Sequence, residues 1–233
     1  MALSPESNEA FLREVDDEVR RDQLTDFWKR WGLWVGVAVV AGLAAFGGWL
    51  FWQHRQAEVA GQEGEQLQAA YDALANGQAA KAGPMLTDLA GSSRGGYRAL
   101  AKFSQADVLL RNNDLKAAAA KFAEIAGDTG LAQPFRDLAL VRQTAAEFDT
   151  LKPQVVVDRL RPLAVPGNPW LGSAGEMVAL AQLRLGQRGP AGQMFGQIAR
   201  DEGVPDSIRQ RAVQMASVLG VDAAPANQDK SAQ

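Results

Sequence analysis

The chain has 233 residues, with 24 lysines and arginines against 27 aspartates and glutamates, one histidine and no cysteine. That balance excludes the basic footprint of a nucleic-acid binder, and the missing thiols exclude disulfides, a thiol nucleophile and a lipid-anchoring cysteine. With His54 the lone histidine, a Ser-His-Asp triad or multi-histidine metal site has no material in the bulk of the chain.

The first 30 residues are charged. Phe11, Val15 and Val19 fall at i, i+4 and i+8 with Leu12 beside them, and Leu24, Phe27 and Trp28 continue on a shifted stripe. This spacing predicts an amphipathic helix. It is net negative, which argues mildly against a surface of anionic lipid.

Residues Trp31 to Gln53 then form an uncharged apolar run of 23, bracketed by Lys29-Arg30 and His54-Arg55. At ~1.5 Å per residue a helix of this length crosses the ~30 Å hydrocarbon core of a bilayer. A secretory signal would be shorter and followed by small residues at a cleavage site, but Trp52, Arg55 and Glu58 stand there. Trp28, Trp31 and Trp34 sit at one end and Trp49 and Trp52 at the other, where indoles favour the headgroup level. The run is read as an uncleaved membrane anchor with the lipid bilayer as its partner. Gly32-x-x-x-Gly36 on it is a candidate helix contact within the membrane, although such matches arise easily in a run this rich in Gly and Ala.

Orientation follows from the flanking basic residues. Arg13, Arg20, Arg21, Lys29 and Arg30 precede the run, and Arg55 follows it. The expected topology is single-pass, with the N-terminus cytoplasmic. In a bacterium the larger part then lies in the periplasm, anchored in the inner membrane.

From His54 onward there are 19 basic and 19 acidic residues, alanine and leucine dominate, and β-branched alternation is absent. The class expected is all-α. Turn residues recur at Asn76-Gly77, Asn112-Asn113, Gly127 to Pro134, Pro166 to Pro169, Gly186 and Gly203 to Pro205, separating stretches of helical length. Ala106, Asn113, Ala118, Phe122 and Ile125 have counterparts 73 residues on at Ala179, Gly186, Ala191, Phe195 and Ile198. Ala70, Gly77, Ala82, Leu86 and Leu89 fit the same spacing, and a weaker copy lies at Thr144, Leu151, Val156, Leu160 and Leu163. Successive steps are 36, 38 and 35 residues.

This pattern resembles the tetratricopeptide repeat, a helix–turn–helix unit of about 34 residues. The small residues would let paired helices approach, Gly77, Asn113 and Gly186 would take left-handed turn positions, and Phe122 and Phe195 would fill the space between pairs. The family's closing proline is displaced. Ser207 to Leu219 is read as a capping helix. The architecture expected is a single transmembrane helix followed by an α-solenoid of about four helix pairs plus that cap. Its parts are a cytoplasmic tail (1–30), the span (31–53), the repeat domain (54–219) and a disordered tail (220–233).

No motif supports catalysis, and no cofactor or metal is expected. What remains is a binding surface. In tetratricopeptide domains the first helix of each pair lines the concave face. The carried-over register puts Leu67, Tyr71 and Leu74 there from the first repeat and Leu100, Phe103, Leu110 and Arg111 from the second. The third supplies Leu138, Val141 and Phe148, and the fourth Leu180, Leu183 and Arg184. A mainly apolar groove of this kind suits a helical or extended apolar peptide. The same residues are equally what a core needs, and both readings stay open on sequence alone.

Residues 11–56, FLREVDDEVRRDQLTDFWKRWGLWVGVAVVAGLAAFGGWLFWQHRQ, and 95–122, GGYRALAKFSQADVLLRNNDLKAAAAKF, resemble the YfgM-type ancillary subunits of the SecYEG translocon. The layout of short acidic tail, one span and repeat domain agrees over roughly residues 8–219. The resemblance implies a periplasmic domain that associates with the translocon and with a membrane-anchored chaperone of the PpiD type. The alternative is a membrane-tethered scaffold for cell-envelope assembly or division.

Overall fold

The structure is a computed structural model that describes residues 5–223, with side chains described from residue 28 onward. The amphipathic pattern expected between Phe11 and Phe27 rests on side chains outside that range. The described residues form nine helices and no strand, and the chain divides into two units between Gln62 and Glu63.

In the first unit, α1 (Pro5–Ala75) carries the apolar run, and it is long and apolar enough to cross a membrane. Leu33, Trp34, Val40, Leu43 and Phe51 all stand well exposed around its circumference. A helix apolar on every side is suited to lipid rather than water. A Cβ at Gly32 would stand 3.1 Å from Trp28 Cε3, so an indole overlays that glycine, whereas Gly36 faces open space.

The second unit begins at Glu63 on α1 and continues through α2 (Ala79–Ala90), α3 (Gly95–Arg111), α4 (Leu115–Gly127), α5 (Gln133–Glu147), α6 (Pro153–Leu160), α7 (Leu171–Arg184), α8 (Arg188–Arg200) and α9 (Asp206–Val218). The pairs are 63–75 with α2, α3 with α4, α5 with α6, and α7 with α8, with α9 as the cap expected over Ser207 to Leu219.

The turn residues act as their chemistry requires. Gly77, Asn113 and Gly186 have φ of +73°, +58° and +76°, the left-handed region that Gly and Asn tolerate. The third pair has no such residue between its helices, and its second helix, α6, has eight residues, ending early at Leu160. Ala70, Ala106, Ala179, Ala82, Ala118 and Ala191 are all fully buried, allowing close helix approach, with Phe122 and Phe195 between successive pairs. Thr144 replaces alanine in the third pair and is equally buried. Its hydroxyl donates to Leu140 O at 2.8 Å, which removes the penalty of an unpaired polar group.

One expectation is corrected at the C-terminus. Fraying was expected from Gly220, yet Val221 is half-buried and Ala223 buried. Gly220 turns the chain at φ +77°, Val221 lies over Gly192 and Gly196 of α8, and Arg200 Nη1 donates to Asp222 O at 3.2 Å. Apolar periodicity could not reveal this, because the cause is a bare trough on α8 rather than a pattern in the tail. Residues 224–233 of the expected disordered tail lie outside the described residues.

Candidate protein-binding face and its braces

The residues assigned to the concave register separate by burial. Leu67, Phe103 and Val141 occupy one position in successive repeats and are buried. Leu74, Leu110, Leu138, Phe148, Leu180 and Leu183 are half-buried and packed on the core clusters of their own or neighbouring pairs. Tyr71 and Leu100 are 37% and 39% exposed, and Arg111 is exposed. The packing reading therefore accounts for most of the apolar set, and Tyr71 and Leu100 are the large apolar members of it left open to a partner.

The fourth repeat departs from the apolar row. Glu176 stands where Leu67, Phe103 and Val141 stand earlier, and Arg211 of α9 grips it through Nε at 2.6 Å and Nη2 at 2.7 Å. Asp107 pairs with Arg142 at 2.7 Å, and Asp149 pairs with Arg184 at 2.8 Å. In each pair the partners are 35 residues apart, one repeat length. Arg184 also donates to Phe148 O at 3.0 Å and stacks over the Phe148 ring at 4.3 Å, and Arg142 stacks over Phe122 at 5.0 Å. Both stacks add cation–π attraction to the ion pairs. Sequence reasoning missed these braces. The signal was present, since an acid and an arginine recur 35 apart three times, with Asp149 in the turn after α5 and the others on the first helices and the cap.

A denser network joins α3 to the end of α4. Arg98 Nη1 donates to Ser92 O at 2.8 Å and Nη2 to Gly130 O at 2.9 Å, and its Nε pairs with Asp128 at 3.3 Å. Lys102 bridges Glu124 at 2.9 Å and Asp128 at 3.3 Å. Hydrogen bonds from Lys102 and then Lys121 lower the Glu124 pKa, outweighing burial. At Asp128 burial opposes ionisation, but the Gly130 N–H, the Lys102 hydrogen bond and the charges of Lys102 and Arg98 win and lower its pKa. Burial likewise opposes the charge on Lys102, and its two carboxylate partners raise its pKa all the same.

The signs fix the pH response. A depressed carboxylate stabilises the fold above its unfolded pKa, about 4, and loses that contribution as pH falls through the folded value. Lys102, with a raised pKa, contributes below its unfolded value and loses the contribution only in strong base. The melting temperature is expected to stay level from neutrality to about pH 5 and to fall below about pH 4. In Asp128→Asn that acid fall should be smaller and the neutral-pH melting temperature lower, as scanning calorimetry over pH 3–7 would show. An unchanged acid profile would remove Asp128 from the network.

Residues 25–154 match the tetratricopeptide repeat-like domain family. Over 106 residues the chain is 27% identical to a protein named ancillary SecYEG translocon subunit from Haemophilus influenzae, an alignment covering 46% of this chain and 52% of that protein. The chain thus spans about half the length of that curated relative. No solved structure matches. The family match runs from residue 25 of α1 through α2, α3, α4 and α5 to the start of α6, more than half of the sequence, and on that ground the chain belongs to the tetratricopeptide repeat-like domain family, with the YfgM-like character its sequence resembles.

Proposed function

We propose that this protein is a membrane-anchored ancillary component of the Sec translocon and that its repeat unit holds protein partners, among them a PpiD-type chaperone. Its N-terminus is cytoplasmic, its solenoid periplasmic, and its role is to connect the translocation channel to the machinery that receives exported chains. The observation that carries this reading is the similarity to a protein named as an ancillary SecYEG translocon subunit, in a chain that pairs a membrane-length helix with a repeat solenoid. Repeat solenoids bind through extended surfaces rather than enclosed chemistry. Partner contacts on the concave face centre on Tyr71 and Leu100, with half-buried Leu74 and Leu110 beneath them. Leu67, Phe103 and Val141 shape that face from below.

Photocrosslinking residues at positions 71 and 100 of the full chain test this in membranes. Translocon subunits and a PpiD-type chaperone should be captured, and Tyr71→Asp with Leu100→Asp should abolish chaperone capture while the melting temperature changes little. Capture of wall or division proteins in their place would replace this reading with an envelope scaffold. Topology has its own check in this cysteine-free chain. A cysteine at Ser93 should react with an impermeant maleimide once the outer membrane is permeabilised, and one at Ser7 only after lysis; the opposite result would invert the protein.

A further inference from the structure

Two clefts recur at one place in the repeat. The first, about 360 Å³, lies among α2, α3 and α4, with Gly83, Leu86, Val108, Leu109 and Lys121 on its walls. The second, about 400 Å³, lies among α6, α7 and α8, with Val157, Val178, Gln182 and Met194 on its walls. Leu109 and Gln182 are 73 residues apart, as are Lys121 and Met194, so these are the same cleft two repeats on. Both are of a size that encloses small ligands or short pieces of chain (~300–1,000 Å³).

The difference between them is informative. Leu109 shows that the register accepts an aliphatic residue, so the fold itself does not demand an amide there. Gln182 nevertheless places a buried side-chain oxygen, Oε1, with no hydrogen-bond partner. A buried polar atom left unpaired is costly, and native structures keep few of them. Of the other polar side chains on this cleft, Gln154 and Arg161 both bond to Asp158. The Gln182 Oε1 is the unsatisfied atom, set beside the apolar surface of Val157, Val178 and Met194.

What fits is a group that hydrogen-bonds to an amide and carries an aliphatic neighbour. A backbone N–H donates to such an oxygen, and every non-proline residue of a peptide carries one. The peptide must be extended, because a helix keeps its N–H groups for its own carbonyls. We propose that the α6–α7–α8 cleft binds a short extended segment of unfolded polypeptide, with a backbone amide on Gln182 and an adjacent aliphatic side chain on Val157, Val178 and Met194. The site is separate from the concave face and does not depend on translocon association. It would give the protein a direct hold on unfolded chains.

The test uses the full chain in mild detergent, labelled with ¹³C at its methionine methyls. The probe is a capped Gly-Ser-Leu-Val-Gly-Ser peptide, alongside the same peptide N-methylated at leucine and valine. The Met194 methyl signal, assigned through Met194→Leu, should shift saturably with the first probe and not with the second. Gln182→Leu, which installs the residue of the sister cleft, should weaken binding about tenfold, the effect of losing one ordinary hydrogen bond. Its melting temperature should hold or rise. Absence of a saturable shift, equal binding of the N-methylated probe, or unchanged affinity in Gln182→Leu would each overturn the proposal. So would a lower melting temperature in that variant, because the amide would then be serving the fold, through a bound water, rather than a ligand.

Discussion

Phe122→Ala is expected to destabilise the repeat unit by about 3–5 kcal/mol, the range for removing a fully buried aromatic ring. Phe122 is fully buried between pairs, stands 6.0 Å from the Phe103 ring, and carries the Arg142 guanidinium on its face. Truncation therefore leaves a cavity, strips an aromatic contact and unseats an arginine that pairs with Asp107. A typical domain has a total stability of roughly 5–15 kcal/mol, so this one change approaches the limit of a folded protein. Urea denaturation of the full chain in mild detergent, followed by far-ultraviolet circular dichroism, measures it. Leu115→Ala, at a residue nearly half exposed, should change stability little and serves as the comparison. A loss at Phe122 no larger than at Leu115 would dissolve the inter-pair core described above.

Gly192→Leu should act at the other end of the solenoid. A Cβ at Gly192 would stand 2.8 Å from Val221 Cγ2 and 3.2 Å from Leu219 Cβ, closer than packed carbons allow. The full leucine side chain cannot share the trough with the C-terminal segment, so overpacking of about 1–3 kcal/mol is expected, together with release of residues 220–223. Carboxypeptidase digestion followed by mass spectrometry should show trimming past Ala223 in the variant and not in the parent. Gly189 is the internal control, because nothing lies within 4 Å of a Cβ there. Gly189→Ala should stabilise by about 0.4–1 kcal/mol through a less flexible unfolded chain. Equal trimming of Gly192→Leu and its parent would mean that the trough does not hold the tail.

Much of the fold was legible because the repeat writes its requirements at fixed spacing. Gly77, Asn113 and Gly186 mark left-handed turns, buried alanines mark helix contacts, and Phe122 and Phe195 mark the layers between them. The third pair was harder to read. Its turn lacks a left-handed residue and its small position holds Thr144, whose compatibility rests on a hydrogen bond to its own helix. The candidate face was legible only as a register. Apolar residues at those positions serve packing and binding alike, and burial is what separates Tyr71 and Leu100 from Leu67, Phe103 and Val141. The Asp107–Arg142, Asp149–Arg184 and Glu176–Arg211 braces escaped because charged residues were read along single helices, where solvated faces explain them, rather than one repeat apart.

The seat of Val221 on α8 has a consequence for the order in which the protein is made. Chains emerge amino end first and fold as they lengthen. The first pairs can close while later ones are still being synthesised, since each contacts chiefly its neighbours. Val221, which covers Gly192 and Gly196, follows Arg200 at the end of α8 by 21 residues, so the trough is made before the residue that fills it. That end of the solenoid thus stays open until Val221 has been made, and a chain interrupted before Val221 would fold its first pairs and leave Gly192 and Gly196 uncovered.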